Sequence, residues 1–101
     1  MPARITASPA KAASASALFR ALADPRRIAL FLFIARHPGQ CVSDAARATR
    51  MSVALASHHL KQLAQAGLVA YCPDGKEHCF GIADRSLAAR VRAIIRAYPS
   101  L

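Results

Sequence analysis

The cysteines, the histidines and a strong excess of lysine and arginine carry most of the chemistry this 101-residue chain can offer. Cys72 and Cys79 flank Asp74-Gly75, the dipeptide that most strongly marks a two-residue hairpin turn. With that turn, Cys72 faces Glu77 and Cys79 faces Ala70. The two thiols are then diagonal neighbours, roughly 7–8 Å apart at the backbone, slightly long for a disulfide unless the register changes. Cys41 stands apart, in the short extended piece Gln40-Cys41-Val42. Three thiolates suit trivalent arsenic or antimony, and a pair suits a redox or reactive-sulfur switch. The plain alternative is that all three are small buried hydrophobes.

A second group, Ser57, His58, Lys61 and Gln65, has the donors to bond phosphates or base edges. At 100° per residue with Val53 at zero, these four and Ala54 fall within about 140° of one another. Leu55, Ala56, His59, Leu60, Leu63 and Ala66 take the opposite side. His59 therefore reads as a packing residue and His58 as an outward contact. Arg50 precedes the helix and Ser52 caps it; Val53 and Ala54 either touch thymine methyl groups or simply pack. Lys76 and His78 in the hairpin complete the expected DNA-contact set, although Asp74 and Glu77 make that hairpin less basic than a strong phosphate contact would be. Enzyme chemistry finds no support: there are 5 Asp and Glu in all, no glycine-rich phosphate loop, and no nucleophile motif with a recognisable partner.

The elements that must position these groups follow from periodicity and punctuation. Residues 1–12, with Pro2 and Pro9 among small polar residues, read as a flexible N-terminal arm, and 13–101 as one domain. A first helix is expected from about Ala13 to Ala23. Asp24-Pro25 then supplies a cap and a proline at the first helical position for a second helix ending near Arg36. That helix is apolar nearly all round and belongs in the centre. Pro38-Gly39 ends it. Ser43 is expected to cap a short third helix reaching Thr49, and Ser52 the fourth, which Gly67 terminates. Leu68–Cys72 and Glu77–Ile82 read as strands. Asp84 caps a last helix whose Leu87, Val91, Ile94, Ile95 and Tyr98 recur at helical spacing. The resulting fold class is mainly α with a small β hairpin (α+β), order ααααββα, a winged helix-turn-helix. In such folds the Gln40–Val42 piece often pairs with the second wing strand, which would bring Cys41 towards Cys79.

Fourteen Lys and Arg against five acids give a formal net charge of +9, so a polyanion is the expected partner. Charge alone does not choose between nucleic acid and a membrane surface. The longest apolar run, Ile28 to Ala35, is far short of the about 20 residues a membrane span needs, and residues 1–17 carry no secretory signal pattern. A cytoplasmic location is expected, and an odd cysteine count fits a reducing compartment.

With these residues in place, the chain resembles the ArsR family of bacterial repressors. Leu22-Ala23-Asp24-Pro25-Arg26-Arg27-Ile28 resembles the start of that family's second helix. Ser57-His58-His59-Leu60-Lys61-Gln62-Leu63 followed by Ala66-Gly67-Leu68-Val69 resembles its recognition helix and first wing strand, and Gly75 falls at the wing turn. The resemblance spans about Leu18 to Ala97. It implies a homodimer through first and last helices, with Leu18, Leu22, Leu87, Val91, Ile94, Ile95 and Tyr98 at the interface. It also implies a sequence-specific repressor that binds an inverted-repeat operator in double-stranded DNA and is released by an inducer. The family's Cys-Val-Cys-Asp arsenic motif corresponds here to Cys41-Val42-Ser43-Asp44, so one thiolate is lost. The last helix carries no histidine, unlike zinc-sensing relatives. No zinc site is expected, and trivalent arsenic, antimony, an oxidant or reactive sulfur remain the candidate inducers. The alternative is a winged-helix protein-interaction module without specific DNA binding. Arg85, Arg90, Arg92 and Arg96 are expected to form a solvated rim beside the dimer stripe, and His37 to sit favourably at the end of its helix.

Overall fold

Asp24 starts the central helix as the sequence predicts: its carboxylate accepts the Arg26 N–H at 2.8 Å, with Pro25 at the first helical position. That bond holds the Asp24 carboxyl below its ordinary value. The computed structural model describes residues 8–72 and 79–99. Along these run α1 (Pro9–Ala21), α2 (Pro25–Arg36), β1 (Gln40–Cys41), α3 (Val42–Ala48), α4 (Val53–Gln65), β2 (Val69–Tyr71), β3 (Cys79–Ile82) and α5 (Arg85–Ala97). This is the expected mainly helical α+β winged helix-turn-helix, with β1 added as a third strand.

Two helix starts differ from expectation. α1 starts at Pro9 because Ser8 caps it, its side chain accepting the Lys11 N–H, so residues 9–12 of the expected arm are helical. α3 starts at Val42 with Cys41 at the cap position and no side-chain cap bond; Ser43 lies inside the helix. Elsewhere the caps are as read. Ser52 Oγ accepts the Leu55 N–H and Asp84 Oδ1 the Leu87 N–H, each at 3.0 Å.

α2 is the hub. Leu30, Phe31 and Ile34 are almost completely buried against Ala45 of α3, Leu60 and Leu63 of α4, and Phe80 of β3. Arg27 ties α1 to this hub: its guanidinium donates to the Ala21 carbonyl at 2.6 Å and the Arg20 carbonyl at 3.4 Å. The Arg20 carbonyl also accepts the Ala23 N–H, whereas the Ala21 carbonyl at the helix end takes its bond from the arginine side chain.

Both helices of the turn motif end with the same closure. After α4, the Leu68 N–H reaches back to the Leu63 carbonyl and the Gly67 N–H to Ala64, with Gly67 at φ 83°. After α3, Met51 reaches Ala46 and Arg50 reaches Arg47, with Arg50 at φ 57°. Glycine suits that left-handed position because it has no Cβ. Arginine there carries strain, of the order of 1 kcal/mol.

The sheet is antiparallel in the order β1-β3-β2. β1 pairs with β3 as anticipated, Gln40 opposite Phe80 and Cys41 opposite Cys79. The wing register does not follow the two-residue turn. Tyr71 faces Phe80, Ala70 faces Gly81, and the Cys72 N–H donates to the Cys79 carbonyl at 2.9 Å. Cys72 is thus opposite Cys79, not Glu77. Asp74, Gly75, Lys76, Glu77 and His78 lie outside the described residues. Among the described residues, no helix is long and apolar enough to cross a membrane.

Candidate nucleic-acid interface

Burial divides α4 as its periodicity predicts. Ala56, His59, Leu60 and Leu63 are buried against the core, whereas Val53, Ala54, His58, Lys61 and Gln65 are exposed and Ser57 is half-buried. Val53 is 51% exposed, so it does not serve the core. With Arg50 and Ser52 exposed in the preceding turn, the described candidates form one continuous surface. That surface carries two cationic side chains, Arg50 and Lys61, and no carboxylate. The wing candidates Lys76 and His78 lie outside the described residues.

The buried side of α4 holds a polar exception. His59 is 4% exposed, and neither ring nitrogen has a hydrogen-bond partner among the described residues. Burial pushes its pKa below the ordinary imidazole value, opposed by the Asp24 carboxylate and assisted by Arg27, Arg26 and His58. The unfolded chain therefore takes up a proton near pH 6.5 that the folded chain resists. Stability present above that pH is lost as pH falls towards the folded-state pKa, by up to about 1.4 kcal/mol per unit. His59→Leu is expected to flatten this slope, read as Tm at pH 5.5 and pH 7.5. Equal slopes in both proteins would assign the acid sensitivity elsewhere.

The cysteines form a row across the sheet. Cys41 and Cys72 both face Cys79, from opposite sides. Cys72 and Cys79 are disulfide-bonded, their Cα atoms 5.3 Å apart, a closer pairing than the hairpin turn implies. Cys41 is free and exposed. No cluster of three or more metal-ligating side chains occurs among the described residues.

The expected interface residues Leu18, Leu22, Leu87, Val91, Ile94, Ile95 and Tyr98 all line one apolar groove of about 420 Å³ between α1 and α5, joined by Phe19, Ile28 and Arg90. Val91 is 4% exposed and belongs also to the core. Ile94 and Tyr98 are 52% and 75% exposed, an apolar rim left uncovered by the described residues. Arg85 and Arg92 depart from the expected rim: they turn to a second cavity beside the sheet. A count at 100° per residue separates these two, and Arg96 with them, from Arg90.

Comparison with known proteins places this geometry. Residues 24–71 match the family described as bacterial regulatory protein, arsR family. The chain is 40% identical over 75 residues to the HTH-type transcriptional repressor SmtB of Mycobacterium tuberculosis, an alignment covering 74% of this chain and 55% of that protein. The chain thus spans about half the length of that relative. A homodimeric winged helix-turn-helix DNA-binding domain from Mycobacterium bovis, described as a possible ArsR-family transcriptional regulator, superposes with TM-score 0.79 at 25% identity, over 99% of this chain and 94% of that one. The AntR antimony-specific transcriptional repressor superposes with TM-score 0.71 at 26% identity, over 95% and 89%. From the Asp24 cap of α2 to the end of β2 the sequence carries the family pattern, and the fold around it is shared; the protein belongs to the ArsR family of bacterial regulatory proteins.

Proposed function

We propose that this chain is a repressor that binds an inverted-repeat operator in double-stranded DNA as a homodimer. The observation that carries the reading is α4: an exposed polar face, free of carboxylates, set on a buried apolar face directly after a tight turn. That arrangement lays a second helix in the major groove, where Ser57, His58 and Lys61 reach phosphates or base edges. Arg50 and Ser52 meet the backbone at the start of the helix, and Val53 and Ala54 face the groove floor. The strained backbone at Arg50 supports the same reading, since strain persists where a side chain is needed for something other than folding. Lys76 and His78 are assigned to the flanking phosphates by their place in the sequence. Two copies meet through the α1–α5 groove, bringing two recognition helices to successive major grooves.

The inducer we assign to the thiols. Once reduced to thiols, the paired cysteines of the wing suit a thiol-directed signal, an oxidant, reactive sulfur or a trivalent arsenical or antimonial. An antimony-specific repressor among the structural relatives agrees with the last of these. No residue needs to transform its ligand; binding and release are the whole activity.

Fluorescence anisotropy of the reduced protein with DNA from the chain's own upstream region tests the reading. Specific binding should weaken steeply with salt, because neutralised phosphates release counterions. Lys61→Gln should lower the slope of log affinity against log salt by about 1 and weaken all sequences alike. Arsenite, antimonite and peroxide are then added separately. Release by one of them names the inducer, whereas no specific binding at all would favour a protein-interaction module.

A further inference from the structure

The cavity beside the wing is independent of both the recognition helix and the dimer groove. It encloses about 680 Å³ between the sheet, the end of α2 and the start of α5. Its floor is made of small residues, Ala70 and Gly81 on the same sheet face as Cys72, with Ala89 opposite. A Cβ added at Gly81 would meet no atom within 4 Å, so the space above the strand is open. The walls carry Cys72 of the disulfide, Arg85 and Arg92. Neither arginine is paired with a carboxylate among the described residues, where the ion pairs are Arg26–Asp24 and Arg47–Asp44. The nearby Asp84 carboxylate is engaged in capping α5. On α5 the residues of this cavity centre roughly 130° away from those of the dimer groove, so the two lie on different faces of the helix.

We infer that this cavity is a docking site for an anionic low-molecular-weight thiol, which exchanges with the Cys72–Cys79 disulfide. Carboxylates of the ligand pair with Arg85 and Arg92, and its sulfur meets Cys72, the more exposed of the two bonded cysteines; Cys79 is 5% exposed. The thiolate attacks Cys72 Sγ and forms a mixed disulfide. The Cys72–Cys79 bond breaks, and Cys79 leaves as a thiolate that takes a proton from water. A second thiol molecule attacks the mixed disulfide and releases Cys72. In sum, two thiols become one small disulfide and the protein gains a dithiol. The inference deepens the thiol-directed part of the proposed function and rests on it for its regulatory meaning. The docking itself stands on the cavity alone.

The test is the rate of disulfide opening in the oxidised full chain, followed by alkylation and mass spectrometry and corrected for each reagent's thiolate fraction. Mercaptosuccinate, with two carboxylates, is compared with uncharged 2-mercaptoethanol. The wild type should favour mercaptosuccinate about tenfold at low ionic strength, and less at high salt. Arg85→Gln with Arg92→Gln should abolish the preference, while Lys11→Gln with Arg36→Gln, of identical net charge, keeps it. Gly81→Leu should slow mercaptosuccinate by filling the floor. Equal rates for the two thiols would overturn the site, as would the same loss in both arginine pairs or an oxidised protein without the cross-wing bond. Operator affinity of the oxidised protein and of protein reduced with a phosphine separates the two ideas. Thiol preference with unchanged DNA affinity upholds the site and rejects the switch. Changed affinity without thiol preference does the reverse.

Discussion

Ile94→Glu is expected to lower operator affinity by a hundredfold or more while leaving the fold intact. Ile94 is 52% exposed and lines the apolar groove between α1 and α5. A monomer tolerates glutamate there because the side chain reaches water. A dimer closing over the groove buries an unpaired charge, which costs several kcal/mol and splits the pair. Each released subunit then holds one half-site. The second contact no longer benefits from tethering, and that effect spans 10²–10⁴ in affinity without any change in the DNA-reading residues. The measurements are sedimentation for mass, circular dichroism for fold and anisotropy for affinity. A monomeric, folded variant that binds the operator as tightly as the wild type would remove the dimer from the mechanism. Tyr98, more exposed still, should give a milder form of the same result.

The second large effect is on stability. Leu60→Ala empties a position that is 0% exposed, where α4 packs into the cluster around Phe31 and Leu63. Truncating a buried leucine removes transfer free energy and leaves a cavity, together 2–5 kcal/mol in well-packed cores. For a domain of this size that is a fall in Tm of roughly 10–30 °C. Lys61, one residue along and exposed, should move Tm little when truncated, since exposed substitutions stay within about 0.5 kcal/mol. Thermal unfolding of both variants at one protein concentration checks the contrast, the fixed concentration being needed because dimerisation itself adds stability. If Leu60→Ala melted with the wild type, α4 would not be anchored as described.

The readable parts of the sequence were those where local signals and burial agree. Asp24-Pro25 and Ser52 announce their helices through side-chain oxygens that the structure uses, and the two faces of α4 separate by angle alone. The wing shows the limit. A pairing of Cys72 with Glu77 and one with Cys79 put the same residues on the same faces, because they differ by a shift that preserves alternation. Val69 and Phe80 are buried either way. Only the turn distinguishes the registers, and the Asp74-Gly75 signal favours the shorter one. The cysteine disulfide was lost with it. The start of α1 was legible in Ser8-Pro9, a cap followed by a first-turn proline, but was absorbed into an arm because the flanking residues are small and polar. Arg85 and Arg92 fall about 20° apart on α5, so their shared face was available; what they face comes from the sheet, and no local pattern contains it. The unusual backbone of Arg50 carries no sequence mark at all, because the residues that advertise such a turn, glycine and asparagine, are absent there.

That last point bears on how this domain can be engineered. A scheme that improves it by folding energy alone would put glycine at position 50, matching the turn after α4, and a more heat-resistant protein would result. The same edit removes a cation from the edge of the surface assigned to DNA. On the proposed reading, position 50 is where folding energy and grip on a polyanion pull apart, and Arg50→Gly should raise Tm while weakening operator binding.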